Sequence, residues 1–274
     1  MSSWVKEVFG TEKPVIGMIH VQAMPGAPTY DEAGGMERLI RGAQADRDAL
    51  VAGGVDAVMF CNEYDRPYLT RVGPEVIAAM TRVVAEVSRG LPVPFGVDVL
   101  WDPVAAISIA NATGASFVRE VFTGVYSSDL GLWDTCAGEA LRFRRNIGAT
   151  RVRLFYNIVP EFAAPLAERP LETVARTAVF SSLADGICVS GYMAGAATPL
   201  DALKKVKDTL PDTPVFANTG VTPETVAKIL EIADGCVVGT AFKEDRKTFS
   251  PVSRANVVEF MEKVKAFRAH RDAR

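Results

Sequence analysis

The feature that most constrains this chain is an alternation repeated eight times along it. A short apolar run ends near a polar residue, and a longer, mostly amphipathic stretch follows before the next run begins. The runs are PVIGMIH (14–20), VDAVMFC (55–61), VPFGVD (93–98), ASFVRE (115–120), RVRLFYN (151–157), DGICVS (185–190), TPVFAN (213–218) and DGCVVG (234–239). Strands read as near-continuous apolar runs when both of their faces are buried, as in parallel sheets built from βαβ units. The intervening stretches predict helices over 33–53, 74–88 and 251–267. Another begins at Asp102 and Pro103, an N-cap followed by proline at the first helical position. A further helix opens at Thr222-Pro223-Glu224 and runs into Ile232. Eight such units in 274 residues fit one closed (βα)8 TIM barrel, which takes about 250 residues. No Gly/Ser linker or charge block divides residues 1–274, so the expectation is a single barrel domain, with an open eight-stranded sheet as the alternative.

The formal net charge is -3 and the pI about 5.6. This provides no general basic field for nucleic acid or an anionic membrane, so an anionic ligand needs a local site. No apolar run approaches the ~18 residues of a membrane span, and MSSWVKEVFG has no apolar signal-peptide core. A cytoplasmic location is expected. Three of the four cysteines (Cys61, Cys188 and Cys236, but not Cys136) lie inside apolar runs, and none is at metal-ligand spacing, so buried thiols are expected.

Two loops point to a ligand. ANTGVTPE follows the seventh run, and the eighth leads into VVGTAFK. In barrels that bind phosphorylated ligands, the loops after these two strands and a short extra helix hold the phosphate. Gly220 and Gly239 lack a Cβ and would let the backbone approach an anion. The amides of Gly220, Val221, Thr240 and Ala241 would then donate to it, with a helix beginning near Thr240 adding its positive end. Thr219 or Thr240 could add a hydroxyl. Lys243, three residues on, is a candidate for contact with the substrate.

In this fold, functional side chains sit where strands end. Those positions hold His20, Asn62 and Glu63, Asp98, Arg119 and Glu120, Asn157, Ser190, and Asn218. Asp98 ends an apolar run and precedes Val99 and Leu100, which makes it the leading acid or base, with a structural pairing to Arg119 as the alternative. Glu63, Glu120 and His20 are its catalytic partners in this reading. Glu63 and Glu120 compete with Asn62 and Arg119 for the inward position. Arg119, Asn157, Asn218, Thr219 and Lys243 would bind substrate. No lysine ends the first six strands, which argues against Schiff-base chemistry unless Lys243 serves. No cofactor is required on this reading. A divalent Mg or Mn ion among Glu63, Asp98 and Glu120 is compatible with these oxygen ligands, whereas the lack of a histidine pair argues against zinc.

Longer segments carry a family resemblance. GMIHVQAMPGAP (17–28), GVDVLWDP (96–103), VREVFTGVYSSDLGLWDT (118–135), FYNIVPEFAAPL (155–166) and FANTGV (216–221) resemble the BtpA/SgcQ family over nearly the whole chain. The resemblance implies a phosphate-binding-type TIM barrel. The loops are more similar to the SgcQ branch, tied to sugar-utilisation operons, than to the BtpA branch, tied to photosystem I, because NIVPEFA lacks the lysine-histidine type of sequence. GTAFKEDR departs from the more usual GTSLK-x-DG, with Ala241 in place of a hydroxyl and Arg246 in place of a glycine.

The favoured expectation is therefore an enzyme acting on a small phosphorylated sugar or nucleotide-derived metabolite, by isomerase, epimerase, lyase or hydrolase chemistry that uses carboxylates. The alternative is a BtpA-like assembly or regulatory protein of the photosystem I biogenesis type that keeps the barrel without turnover. Tyr126 and Trp133, in the loop over 121–134, would be its exposed aromatics. That loop is expected either to close as a lid or to pack in a homo-oligomer.

Overall fold

The computed structural model describes residues 3–272. A first helix, α1 (Ser3–Phe9), precedes β1 (Val15–His20). There follow α2 (Gly35–Gly53), β2 (Ala57–Cys61), α3 (Pro74–Val87), β3 (Phe95–Asp98), α4 (Pro103–Thr113) and β4 (Phe117–Glu120). A hairpin of β5 (Val125–Ser128) and β6 (Gly131–Asp134) interrupts the series. After it come α5 (Ala137–Asn146), β7 (Arg153–Asn157), the short β8 (Ala163–Pro165) and α6 (Leu171–Phe180). The chain ends with β9 (Gly186–Val189), α7 (Leu200–Thr209), β10 (Val215–Ala217), α8 (Val226–Ile232), β11 (Gly235–Val238) and α9 (Arg254–Asp272).

Eight strands close a parallel barrel in the order β1-β11-β10-β9-β7-β4-β3-β2. The seam is β1 against β11, with Val15 opposite Cys236 and Gly17 opposite Val238. This is the TIM barrel expected from the alternation. Period-two geometry splits the apolar residues into two cores. Met18, Met59, Phe117, Phe155 and Phe216 pack together inside the barrel. Ile19, Phe60, Val97, Val118 and Leu154 pack with the helices outside it. Asp102 caps α4 as expected, its side chain accepting from the N–H groups of Val104 and Ala105. All four cysteines are free, with Cys61, Cys188 and Cys236 buried. No helix among the described residues is long and apolar enough to cross a membrane.

Three local features add to or depart from the sequence reading. The seven-residue α1, too short for a readable period, packs Trp4 and Phe9 onto the inner core, with Trp4 5.5 Å from Phe155 and Phe9 5.4 Å from Phe117 between ring centroids. Burying an aromatic of this size contributes about 2 kcal/mol. Residues 121–134 are not an irregular loop: β5, β6 and β8 form an antiparallel three-stranded sheet. Tyr126 and Trp133 pair directly across its hairpin and face inward, where they are 4% and 2% exposed and Trp133 lies 5.1 Å from Trp101. The exposed aromatics expected of a partner surface are thus part of the core. Finally, the helix expected near Thr240 is a single 3-10 turn, Thr240–Phe242, and the one after Pro223 begins only at Val226.

Candidate functional site

The strand ends converge on a cavity of about 410 Å³. One wall comes from the turns after β10 and β11, through Gly220, Val221, Thr222, Thr240 and Ala241. The N–H groups of Gly220, Val221, Thr240 and Ala241 donate to no backbone carbonyl among the described residues. The 3-10 turn is closed instead by Phe242 N–H to Gly239 and Lys243 N–H to Thr240. Four backbone donors are therefore unspent along this wall.

The reason for the glycines differs from the expectation. Gly220 has φ +61, and a Cβ there would lie 2.3 Å from the Ala196 carbonyl oxygen. Its bareness is demanded by the crossing of the loop after β9. A Cβ on Gly239 would sit 3.3 Å from the His20 ring, so this glycine does border the open mouth. Thr219 lines the cavity, but its hydroxyl is engaged by Gly191 N–H. The Thr240 hydroxyl lies 3.0 Å from that of Thr248.

Ionisable groups line the same cavity: Arg119, Glu63, Glu161 and His20, with Asn218 among them and His20 beside Gly239. Glu161 was not among the strand-exit candidates, because it lies four residues past the end of β7; only the NIVPEFA segment marked it. Its carboxylate accepts from Asn157 Nδ2 at 2.9 Å and Asn218 Nδ2 at 3.3 Å. Arg119 Nη1 is 3.9 Å away. Ser190 links the two asparagines, donating to Asn157 Oδ1 at 3.1 Å and accepting from Asn218 Nδ2 at 2.7 Å. Asn157 is fully buried and holds Glu161 rather than lining the cavity. Burial pushes the Glu161 carboxyl up, against the pull of Arg119.

Glu63 is brought inward, which settles its competition with Asn62 for the cavity. Its Oε1 accepts from Tyr68 OH at 3.3 Å. Burial, then the nearby Asp98, push its pKa up to about 7, with Arg119 opposing. His20 Nδ1 is 3.4 Å from the Thr248 carbonyl. A carbonyl only accepts, so this contact places the proton on Nδ1 and leaves the Nε2 lone pair free. Burial, Lys243 and Arg119 hold His20 well below the usual histidine range, so the ring is neutral.

Two of the expected catalytic acids stand elsewhere. Asp98 and Glu120 are fully buried and do not line the cavity. Asp98 Oδ2 accepts from Arg119 Nη2, the pairing held as the alternative in the sequence. Glu120 Oε1 accepts from Val99 N–H at 2.8 Å. Their second oxygens, Asp98 Oδ1 and Glu120 Oε2, have no protein donor. The two carboxyls are hydrogen-bonded to each other, and burial followed by the Asp98 charge raises the Glu120 pKa well above the usual range. The raised pKa keeps a proton on Glu120, available to the neighbouring Asp98 carboxylate. The pair is thus a foundation that aims Arg119 at the cavity.

Lys243 also leaves the site. It is 1% exposed, and its Nζ donates to Asp46 Oδ2 on α2 at 2.7 Å. Burying an amine requires such a partner, and the lysine is committed to it. Burial lowers its pKa, with Asp46 opposing. Among the described residues, no three His, Cys, Asp or Glu side chains are placed to hold a metal ion, so Glu63, Asp98 and Glu120 do not form the oxygen cluster allowed for above. Arg246 and Thr248 line the cavity but lie beyond the strand ends and were not candidates.

Comparison with known proteins agrees with this architecture. SgcQ, a protein of the sgc region of Escherichia coli (strain K12), is 52% identical over 96% of this chain and 98% of its own length. The photosystem I biogenesis protein BtpA of Synechocystis is 32% identical over 93% of this chain and 89% of its own. Among solved structures, a tryptophan synthase from M. tuberculosis superposes with a TM-score of 0.61 at 17% identity, covering 97% of this chain and all of that one; this likeness is one of fold. The model of the BtpA family matches residues 11–266. The chain therefore belongs to the BtpA family, and within it is nearer to SgcQ than to BtpA.

Proposed function

We propose that this protein is an enzyme that performs acid–base chemistry on a small phosphorylated metabolite. The observation that carries this reading is the sharing of one cavity by two kinds of group: unspent backbone donors at Gly220, Val221, Thr240 and Ala241, and the ionisable side chains of Glu63, Glu161, Arg119 and His20. Backbone N–H groups bind a phosphoryl group through fixed dipoles without needing basic side chains. Anchoring that group holds the rest of the ligand against the carboxyls.

Two carboxyls with raised pKa values line the cavity with an arginine. In this reading one is ionised and takes a proton from the ligand, while the other, protonated, returns one. Carboxyls tuned toward neutrality do such work at neutral pH. Arg119 stabilises the oxyanion that develops when a proton leaves carbon or a carbonyl is polarised. The neutral His20 offers a lone pair to a ligand hydroxyl. Glu63, Glu161, Arg119 and His20 are the catalytic residues, and the Asp98–Glu120 pair positions Arg119. The alternative of an assembly protein without turnover relied on Tyr126 and Trp133 as surface contacts, and both are buried.

The test is calorimetric titration with inorganic phosphate and with glycerol phosphate, alongside thermal shift, because a ligand bound only by the folded state raises its stability. Gly239→Asp adds a charge and bulk beside His20 and should weaken both ligands at least tenfold. Equal affinity in that variant would sink the phosphate assignment.

A further inference from the structure

The phosphate end of the cavity, on the reading above, has donors in abundance but few cations. Arg119, which also lines the cavity, is bonded to Asp98. Lys243, the lysine nearest in sequence to the 3-10 turn, is spent on Asp46. Glu224, which lines the cavity beside Thr222 and Pro223, brings a negative charge. Neutral amides alone do not offset both a phosphate dianion and this carboxylate. A second cation lines the cavity, and it is Arg246.

The setting of Arg246 is unusual for a surface arginine. Its φ is +54, in the left-handed region where side chains other than glycine, asparagine and aspartate are disfavoured. Such conformations persist where the surroundings enforce them, and they concentrate at functional sites. Two contacts hold the guanidinium: Nη1 donates to the Ala241 carbonyl at 2.6 Å, and Nη2 to Glu259 Oε2 on α9 at 2.7 Å. The first ties it to the residue whose own N–H is unspent on the phosphate wall. An arginine carries five N–H donors, and the others have no partner among the described residues. The planar fork suits two phosphate oxygens at once.

We propose that Arg246 is the phosphate-neutralising residue of this site, gripping a phosphoryl group from the open side while the Gly220–Val221 and Thr240–Ala241 amides hold it from below. The inference rests on the phosphate reading, and one experiment separates the two. Wild type, Arg246→Gly, Arg246→Asn and Glu259→Gln are titrated with inorganic phosphate and glycerol phosphate, and their melting temperatures are recorded. Glycine and asparagine both accept a positive φ, so these two variants should melt at or above the wild-type temperature while binding either ligand at least tenfold more weakly. Their binding should also depend less on salt. Glu259→Gln removes the ion pair but keeps the cation, so its affinity should stay within about threefold of wild type. If wild type binds neither ligand, the phosphate reading itself fails. If wild type binds and both Arg246 variants bind equally well, the phosphate reading stands and Arg246 is not part of it. A lower melting temperature with unchanged affinity would make Arg246 a structural partner of Glu259 and overturn the proposal.

Discussion

Replacing Glu63 by glutamine tests the electrostatics of the cavity without reference to any substrate. In the folded chain this carboxyl titrates at about 7, against an ordinary value of 4.5. The folded state therefore binds its proton more tightly than the unfolded state does. The stability this contributes is fully present below about pH 4.5 and is lost as pH rises through about 7. A shift of this size corresponds to about 3 kcal/mol in all, of which about 2.5 kcal/mol falls between pH 5 and pH 8. Glutamine keeps the shape, and its Oε1 still accepts from Tyr68, but it never ionises. Relative to wild type, Glu63→Gln should therefore gain about 2.5 kcal/mol on going from pH 5 to pH 8. Urea denaturation of both proteins at the two pH values measures this directly, since titrations common to both cancel. An unchanged stability difference would mean that the folded chain does not hold Glu63 near neutrality, and the acid–base role would lose its physical basis.

Two further substitutions probe the supports of the site. Glu120→Gln should cost less than about 1 kcal/mol, because an amide can still donate to Asp98 Oδ1 and accept from Val99 N–H. Glu120→Ala leaves both buried groups unsatisfied and should cost about 3 kcal/mol; equal losses in denaturation would refute the shared proton. Gly220→Ala combines a positive φ with a Cβ 2.3 Å from a carbonyl oxygen. It should destabilise by about 3 kcal/mol, and a melting temperature within a degree of wild type would show that the loop after β9 yields freely.

Much of the site's address was readable along the chain. Strand ends are visible because an apolar run stops at a polar residue, and in a barrel all such ends meet at one face. This placed His20, Glu63, Arg119 and Asn218 around the mouth, and the two glycine turns beside them. Depth within the mouth was not readable. Asp98 and Arg119 both end apolar runs on neighbouring strands, and only the closed barrel shows that they pair below the cavity floor. The direction of Lys243 was hidden for a related reason: three residues past a glycine turn gives its position but not its direction, and its side chain reaches Asp46 on α2.

Sequence periodicity alone determined the eight parallel strand-helix units, because burying both faces of such strands leaves a pattern that each segment carries locally; closure into a barrel was decided by the pairing of β1 with β11. It also determined the family, through long segments spread over the whole chain. Tertiary structure alone decided which carboxyls are exposed to a ligand. Glu161 and Arg246 come from segments beyond the strand ends, and they join the cavity only when the connections fold back over the mouth. Tyr126 and Trp133 move the other way, into the core, because a hairpin pairs them on one face. The pKa of Glu63 likewise depends on Asp98 and Arg119 from other strands, and charge interactions of that kind follow distance in space, which the order of residues along the chain does not encode.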